Sequence, residues 1–178
     1  MKIKEYLMIT QNHKTKLVCN HSFRINKKFK KKNMKKPKVL VKLLEGLFYY
    51  SKLTEEQSYI IAYYEESLLG IFQLSHGTDV DCDMQMKTIF KFLLLVGADS
   101  FFICHNHPEY KSEMSQDDYD RTMELITLSH YLDIQFNGHI IVGKYGWREA
   151  KQEVIEMNKL KITSVNKYYE RRRLCKED

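Results

Sequence analysis

The stretch from Ser100 to Asp118, SFFICHNHPEYKSEMSQDD, constrains the fold of this chain more than any other. Five uncharged, largely apolar residues run into His105, and Pro108 stops the run three residues later. A short apolar segment of that kind reads as a buried central strand. Side chains alternate across a strand, so His105 and His107 project from one face. Ser115 and Asp118 then form S-x-x-D ahead of an apolar-periodic segment (Tyr119, Met123, Ile126, Tyr131), the signature of a helix start with Asp118 in its first turn. A buried strand that returns through a loop into a helix belongs to an α/β architecture.

The remainder of the chain extends this pattern. Val39–Tyr50 carries Leu40, Leu43, Leu44, Leu47 and Phe48 at helical spacing. Ser58–Tyr64 and Leu68–Leu74 are β-branched or aromatic runs separated by Glu65-Glu66-Ser67, which predicts a hairpin. A polar stretch, His76–Asp83, alternates Asp79, Asp81 and Asp83. A helix is expected from Met84 to Val96, closed by Gly97 at C′, then a helix over Ser115–Leu132, a strand over Ile134–Val142 and a last edge over Lys144–Ala150. Alternating strands and helices predict a three-layer α/β domain over residues 39–150. Residues 1–38 read as a basic extension, and residues 151–178 as a charged helical tail.

Composition sets further bounds. A hydrophobic fraction of 43% is that of a globular chain. The N-terminal MKIKEYLMIT lacks the apolar core of a signal peptide. The best apolar run, Phe92–Gly97, is flanked by Lys91 and Asp99 and is too short to span a bilayer, so a cytoplasmic, non-membrane protein is expected. Cys19, Cys82, Cys104 and Cys175 contain no C-x-x-C pair, which argues against a disulfide framework and a zinc ribbon. Charge is uneven: positions 1–50 hold 14 basic and 2 acidic residues, the rest 15 and 21. The excess concentrates in Lys27–Lys38, a block that could contact nucleic acid through phosphates or remain a solvated arm.

The chemistry resides in His105, His107, Ser115 and Asp118. Two neutral imidazoles and a carboxylate make a three-ligand set whose fourth tetrahedral position is left for water, as in catalytic zinc sites, with one Zn2+ per chain. Ser115 can cap its helix and still turn its hydroxyl to the metal. Cys104, adjacent to His105 on a strand, is expected to face the opposite way, into the core.

With this spacing, HNHPEYKSEMSQDD resembles the JAB/MPN (JAMM) metalloprotease motif, specifically its RadC branch, over about Glu55 to Ala150. Gly77-Thr78, Gly97-Ala98 and His139-Ile140-Ile141-Val142-Gly143 fall where that family has G-T, N-A and H-I-I-V-G. The resemblance implies a three-layer α-β-α sandwich of the cytidine-deaminase-like kind with a mixed central sheet. It implies His105, His107 and Asp118 as zinc ligands and Ser115 as a hydrogen-bond donor to the developing oxyanion or the attacking water. It also implies a glutamate at the first strand as general base, Glu55 by spacing, with Glu56 as the alternative. The chain departs from the family at Gly138, where an Asp is usual, at Met86 in place of Pro, and at Glu109-Tyr110 in place of Ser-Gly. Residues 1–50 show no counterpart of the helix-hairpin-helix region of long RadC proteins.

The activity so implied is zinc-dependent hydrolysis of a peptide or isopeptide bond in a peptide or protein substrate. The competing expectation is a DNA-repair or mobile-element accessory protein that binds nucleic acid through its basic arm. The contiguous His105-Asn106-His107 does not make an HNH nuclease, whose name comes from residues dispersed over a ββα unit. A zinc deaminase needs H-x-E and P-C-x-x-C, which are absent.

Overall fold

The computed structural model describes residues 2–12, 14–25, 33–76, 85–108 and 112–159. Seven strands, β1 (Lys2–Gln11), β2 (Lys14–Arg24), β3 (Gln57–Tyr64), β4 (Ser67–His76), β5 (Ser100–Asn106), β6 (Gln135–Gly143) and β7 (Gly146–Glu149), form one sheet. Its order is β2-β1-β4-β3-β5-β6-β7. The sheet is mixed: β5 runs antiparallel to β3 and parallel to β6, and β1 runs parallel to β4. Helices α1 (Pro37–Phe48), α2 (Met86–Val96) and α3 (Gln116–Tyr131) flank it, and a further helix, α4, covers residues 150–159.

Alternation along the strands divides the core into two layers. Ile61, Tyr63, Phe102, Cys104, Ile140 and Val142 pack against α1, which buries Leu40, Leu43 and Leu44 on that side. Ile60, Ala62, Phe101 and Ile103 pack against α2 and α3 on the other. Each fully buried leucine of α1 contributes about 1.5–3 kcal/mol relative to exposure, which explains why a 12-residue helix, too short to be stable alone, persists. Pro37 opens α1, its fixed φ suiting the first helical position. Gly97 closes α2 at φ 71°, a left-handed conformation that glycine adopts without strain. The three-layer α-β-α sandwich with a mixed sheet is therefore present.

The N-terminal segment departs from expectation. Instead of an undefined extension, Lys2–Gln11 and Lys14–Arg24 pair as β1 and β2 and join the sheet beside β4 through Glu5↔Ile71 and Tyr6↔Phe72. Ile3 and Ile25 enter the α1-side core, while Tyr6, Met8 and Leu17 pack on the α2 side. Within the basic block, residues 27–32 lie outside the described residues, as do Asp79, Asp81, Asp83, Gly77-Thr78, Glu109-Tyr110, Cys82, Cys175 and the tail beyond residue 159. No described helix is long and apolar enough to cross a membrane.

Candidate metal centre

Strand β5 is buried over its whole length, and alternation places Phe101, Ile103 and His105 on the α3 side. Cys104 faces α1 and is fully buried, as expected, with burial pushing its thiol well above the ordinary range. His105 is 0% exposed. Its Nε2 lies 2.9 Å from His107 Nε2 and 3.1 Å from Asp118 Oδ1, and His107 Nε2 lies 3.5 Å from Asp118 Oδ2. The three residues expected to share a metal thus lie together, His105 facing one Asp118 oxygen and His107 the other.

Asp118 arrives there because α3 begins with a capping box. Ser115 is the N-cap: its hydroxyl oxygen accepts from the Asp118 N–H at 3.1 Å, and the Asp118 carboxylate accepts from the Ser115 N–H at 2.9 Å. The Ser115 hydroxyl also donates to Asp118 Oδ2 at 2.6 Å. One carboxylate oxygen is therefore anchored at the helix start while the other faces His105. Burial alone would raise the Asp118 pKa, but hydrogen bonding from His105, His107 and Ser115 outweighs it and holds the carboxyl far below its usual range. Cap and site coincide, and the serine proton is directed at the Asp118 carboxylate.

The glutamates separate. Glu56 Oε1 lies 3.9 Å from His105 Nε2; Glu56, His105 and His107 form one potential ligand group, and His105, Asp118 and His139 form another. Glu55, which the spacing favoured, has an exposed side chain and belongs to neither potential ligand group among the described residues. Its carbonyl instead accepts from Asn106 Nδ2 at 3.0 Å, and Asn106 Oδ1 accepts from the Gln57 N–H at 2.8 Å. The register of β3 against β5, with Ser58 opposite His105, brings the preceding Glu56 to the histidines.

His139 and Thr122 complete the cluster and were not anticipated as site residues. His139 Nε2 lies 2.8 Å from His105 Nδ1, and His139 Nδ1 lies 2.7 Å from Thr122 Oγ1. Both residues are 0% exposed. Burial, reinforced by His105, depresses the His139 pKa to about 3 against the pull of Asp118, so the ring is neutral. A bulge explains why sequence alternation missed His139. Phe101 pairs with Phe136 but Phe102 pairs with Gly138, so Asn137 is an extra residue in β6. Phe136 lies on the α3 side and Ile140 on the α1 side. The inserted residue turns His139 toward His105.

The glycine at 138 is filled from elsewhere. A Cβ on Gly138 would lie 2.6 Å from Glu149 Oε1 and 3.1 Å from the Phe102 ring. Glu149 Oε1 accepts from the His139 N–H at 3.3 Å, and Oε2 accepts from the Gln152 N–H at the start of α4. Burial raises the Glu149 pKa. A carboxylate from β7 thus reaches the backbone beside His139.

The donor set fits a metal. His105 Nε2 lies 2.9 Å from His107 Nε2 and 3.1 Å from Asp118 Oδ1, close to the roughly 3.3 Å edge of a tetrahedron with ligands about 2.0–2.1 Å from zinc. Two imidazole nitrogens facing each other beside a carboxylate need a proton or a cation between them. Neutral imidazoles and a carboxylate also form a donor set suited to zinc.

A pair of strand histidines joined by a carboxylate from the next helix, on a mixed sheet between helical layers, defines a JAB-type domain. The chain belongs to the RadC-like JAB domain family, whose model matches residues 34–153. It is similar to a UPF0758 protein of Cyanothece sp., 29% identical over 85 residues, 48% of this chain and 35% of that protein. A UPF0758 protein of Neisseria meningitidis is 32% identical over 88 residues, 49% of this chain and 39% of that protein. The matched stretch thus spans well under half the length of these relatives.

Proposed function

We propose that the chain is a zinc-dependent hydrolase that cleaves a peptide or isopeptide bond. The observation that carries this reading is the gathering of His105 Nε2, His107 Nε2 and the two Asp118 carboxylate oxygens, with the Glu56 carboxylate beside them. His105, His107 and Asp118 would hold the metal, which when bound supplies Lewis acidity and a water acidified toward about pH 7. Glu56, partly exposed at the mouth of the cluster, takes the proton from the attacking water and returns it to the leaving amine. Ser115 steadies Asp118 through the hydroxyl proton it donates to that carboxylate, so the oxygen on which negative charge develops would fall to the Lewis acidity of the metal rather than to this hydroxyl. The buried face formed by His105 and His139 keeps bulk water from the inner side of the site.

The test is metal analysis joined to turnover. Purified protein is expected to hold about one zinc per chain, lost in His105→Ala and His107→Ala. Glu56→Gln should keep zinc but lose hydrolysis of peptide and lysine-isopeptide substrates, whereas Glu55→Gln should retain both. Metal content indifferent to both histidines would overturn the reading, as would full hydrolysis by Glu56→Gln.

A second reading, an accessory protein that binds nucleic acid, is favoured by the 14 basic residues within positions 1–50. It requires salt-sensitive DNA binding that disappears when lysines 27–38 are neutralised. Binding that survives neutralisation removes the arm from consideration.

A further inference from the structure

We propose that the cavity where β5 and β6 begin, at the end of the sheet away from the histidines, binds a small carboxylate ligand with an apolar body. The cavity is about 460 Å3, within the roughly 300–1,000 Å3 range of small-molecule sites. Its wall includes Ser129 of α3, Phe136 of β6 and Lys151 of α4. Ser129 stands eleven residues beyond Asp118 on α3, about 16 Å along a helix. The site is therefore separate from the histidine cluster and owes nothing to the zinc-hydrolase reading.

The Ser129 hydroxyl is the group that points to a ligand. On the same helix, Thr122 and Thr127 donate to the carbonyls of Asp118 and Met123, one turn back. Ser129 is 5% exposed, yet its hydroxyl has no hydrogen-bond partner among the described residues. A buried polar group left unpaired is costly, so an acceptor from outside the chain is favoured there. The nearby carbonyls of Leu128, Ser129 and His130 already accept from the N–H groups of Leu132, Ile134 and Asp133.

Two ammonium groups line the same cavity. Lys151 donates one N–H to the Phe136 carbonyl, which leaves two for a ligand. Lys35 lies 3.7 Å from a Glu66 carboxylate that is 76% exposed, a pairing that water weakens. Of the two acids in the lining, Asp99 already accepts from the Glu65 N–H and the Ser100 hydroxyl, while Asp133 is exposed. Both oppose a doubly charged phosphate more than a singly charged carboxylate. Ile126, Ile134 and Phe136 give the cavity its apolar side. Donors beside an apolar wall thus select one negative charge on a hydrocarbon body.

The experiment titrates the full chain with 3-phenylpropionate, without added metal, and follows the backbone amides by proton–nitrogen spectra. The amides of Ser129, Ile134 and Phe136 should shift saturably. The uncharged 3-phenylpropionamide should bind about 10-fold more weakly, and Ser129→Ala and Lys151→Met should each weaken 3-phenylpropionate by about 10-fold. Ser129→Ala removes an unpaired hydroxyl and should be as stable as the unmodified chain, so its weaker binding is not a loss of structure. Acetyl-glycyl-phenylalanine, titrated in parallel, separates two sources of the carboxylate. Tighter binding than 3-phenylpropionate supports the site with a peptide C-terminus as ligand, and weaker binding supports it with a small free acid. Absence of a saturable shift with either acid would overturn the proposal, as would shifts confined to the surroundings of His105. Equal binding of the amide, tighter binding of inorganic phosphate, or unchanged affinity in Ser129→Ala would overturn it as well.

Discussion

Asn106 bridges the backbone on both sides of Glu56, donating to the Glu55 carbonyl at 3.0 Å and accepting from the Gln57 N–H at 2.8 Å. The residue between the two histidines therefore sets where the neighbouring glutamate stands. Asn106 is 1% exposed, so its loss would leave backbone groups without partners, at about 1–3 kcal/mol. Asn106→Ala is expected to lower urea stability by that amount, keep its zinc and lose most of its hydrolytic rate. Unchanged stability and turnover would show that Asn106 does not hold Glu56.

Metal and fold should be coupled. Zinc at about 100 times its dissociation constant should stabilise the chain by about 2.7 kcal/mol relative to a chelated sample. Asp118→Asn keeps an oxygen that can serve the α3 cap but removes the carboxylate charge. It should fold without metal and show little of the zinc-dependent rise in Tm. A full rise in that variant would remove Asp118 from the ligand set.

Acid should weaken the metal-free chain through His139. An unfolded histidine titrates near 6.5, but folded His139 titrates at about 3. Between those values the unfolded state binds a proton that the folded state refuses. Stability therefore falls as pH drops through this window, by up to about 1.4 kcal/mol per pH unit from this group. Urea unfolding at pH 7 and pH 5 should show a smaller acid loss for His139→Gln than for the unmodified chain. Equal losses would place the acid sensitivity elsewhere.

Gly138 and Glu149 should be energetically coupled. Gly138→Ala brings a Cβ to 2.6 Å from Glu149 Oε1, an overpacking expected to cost about 1–3 kcal/mol. Combined with Glu149→Ala, the glycine substitution should cost less than it does alone, with a coupling energy above about 0.5 kcal/mol in a double-mutant cycle. Additive effects would show that the carboxylate moves aside freely.

The elements with strong periodicity were legible in the sequence. The expected hairpin over Ser58–Tyr64 and Leu68–Leu74 appears as Gln57–Tyr64 and Ser67–His76, and the expected helix over Ser115–Leu132 as Gln116–Tyr131. His105, His107 and Asp118 could be read because strand alternation and a helix cap are local rules. Glu56 required the β3–β5 register, a nonlocal quantity in which an error of one residue changes the face. His139 depended on the Asn137 bulge, which a period-two reading cannot register. Strands β1 and β2 escaped notice because lysines at 2, 4, 14 and 16 made an alternating hairpin resemble a charged arm.

That hairpin also changes which strand meets solvent at the side of the molecule. β1 takes the pairing groups of β4 where the two strands run together, so the sheet's outer boundary passes to β2. Lys14 and Lys16 lie exposed on β2, and the pairing shifts at Glu5/Tyr6, where Glu5 faces His21 but Tyr6 faces Cys19. Charges and a bulge on an outermost strand both oppose edge-to-edge pairing between molecules. The same lysines that disguise the hairpin in the sequence thus guard the folded chain against aggregation, and apolar replacements at 14 and 16 would expose an eleven-residue strand as a template for other copies.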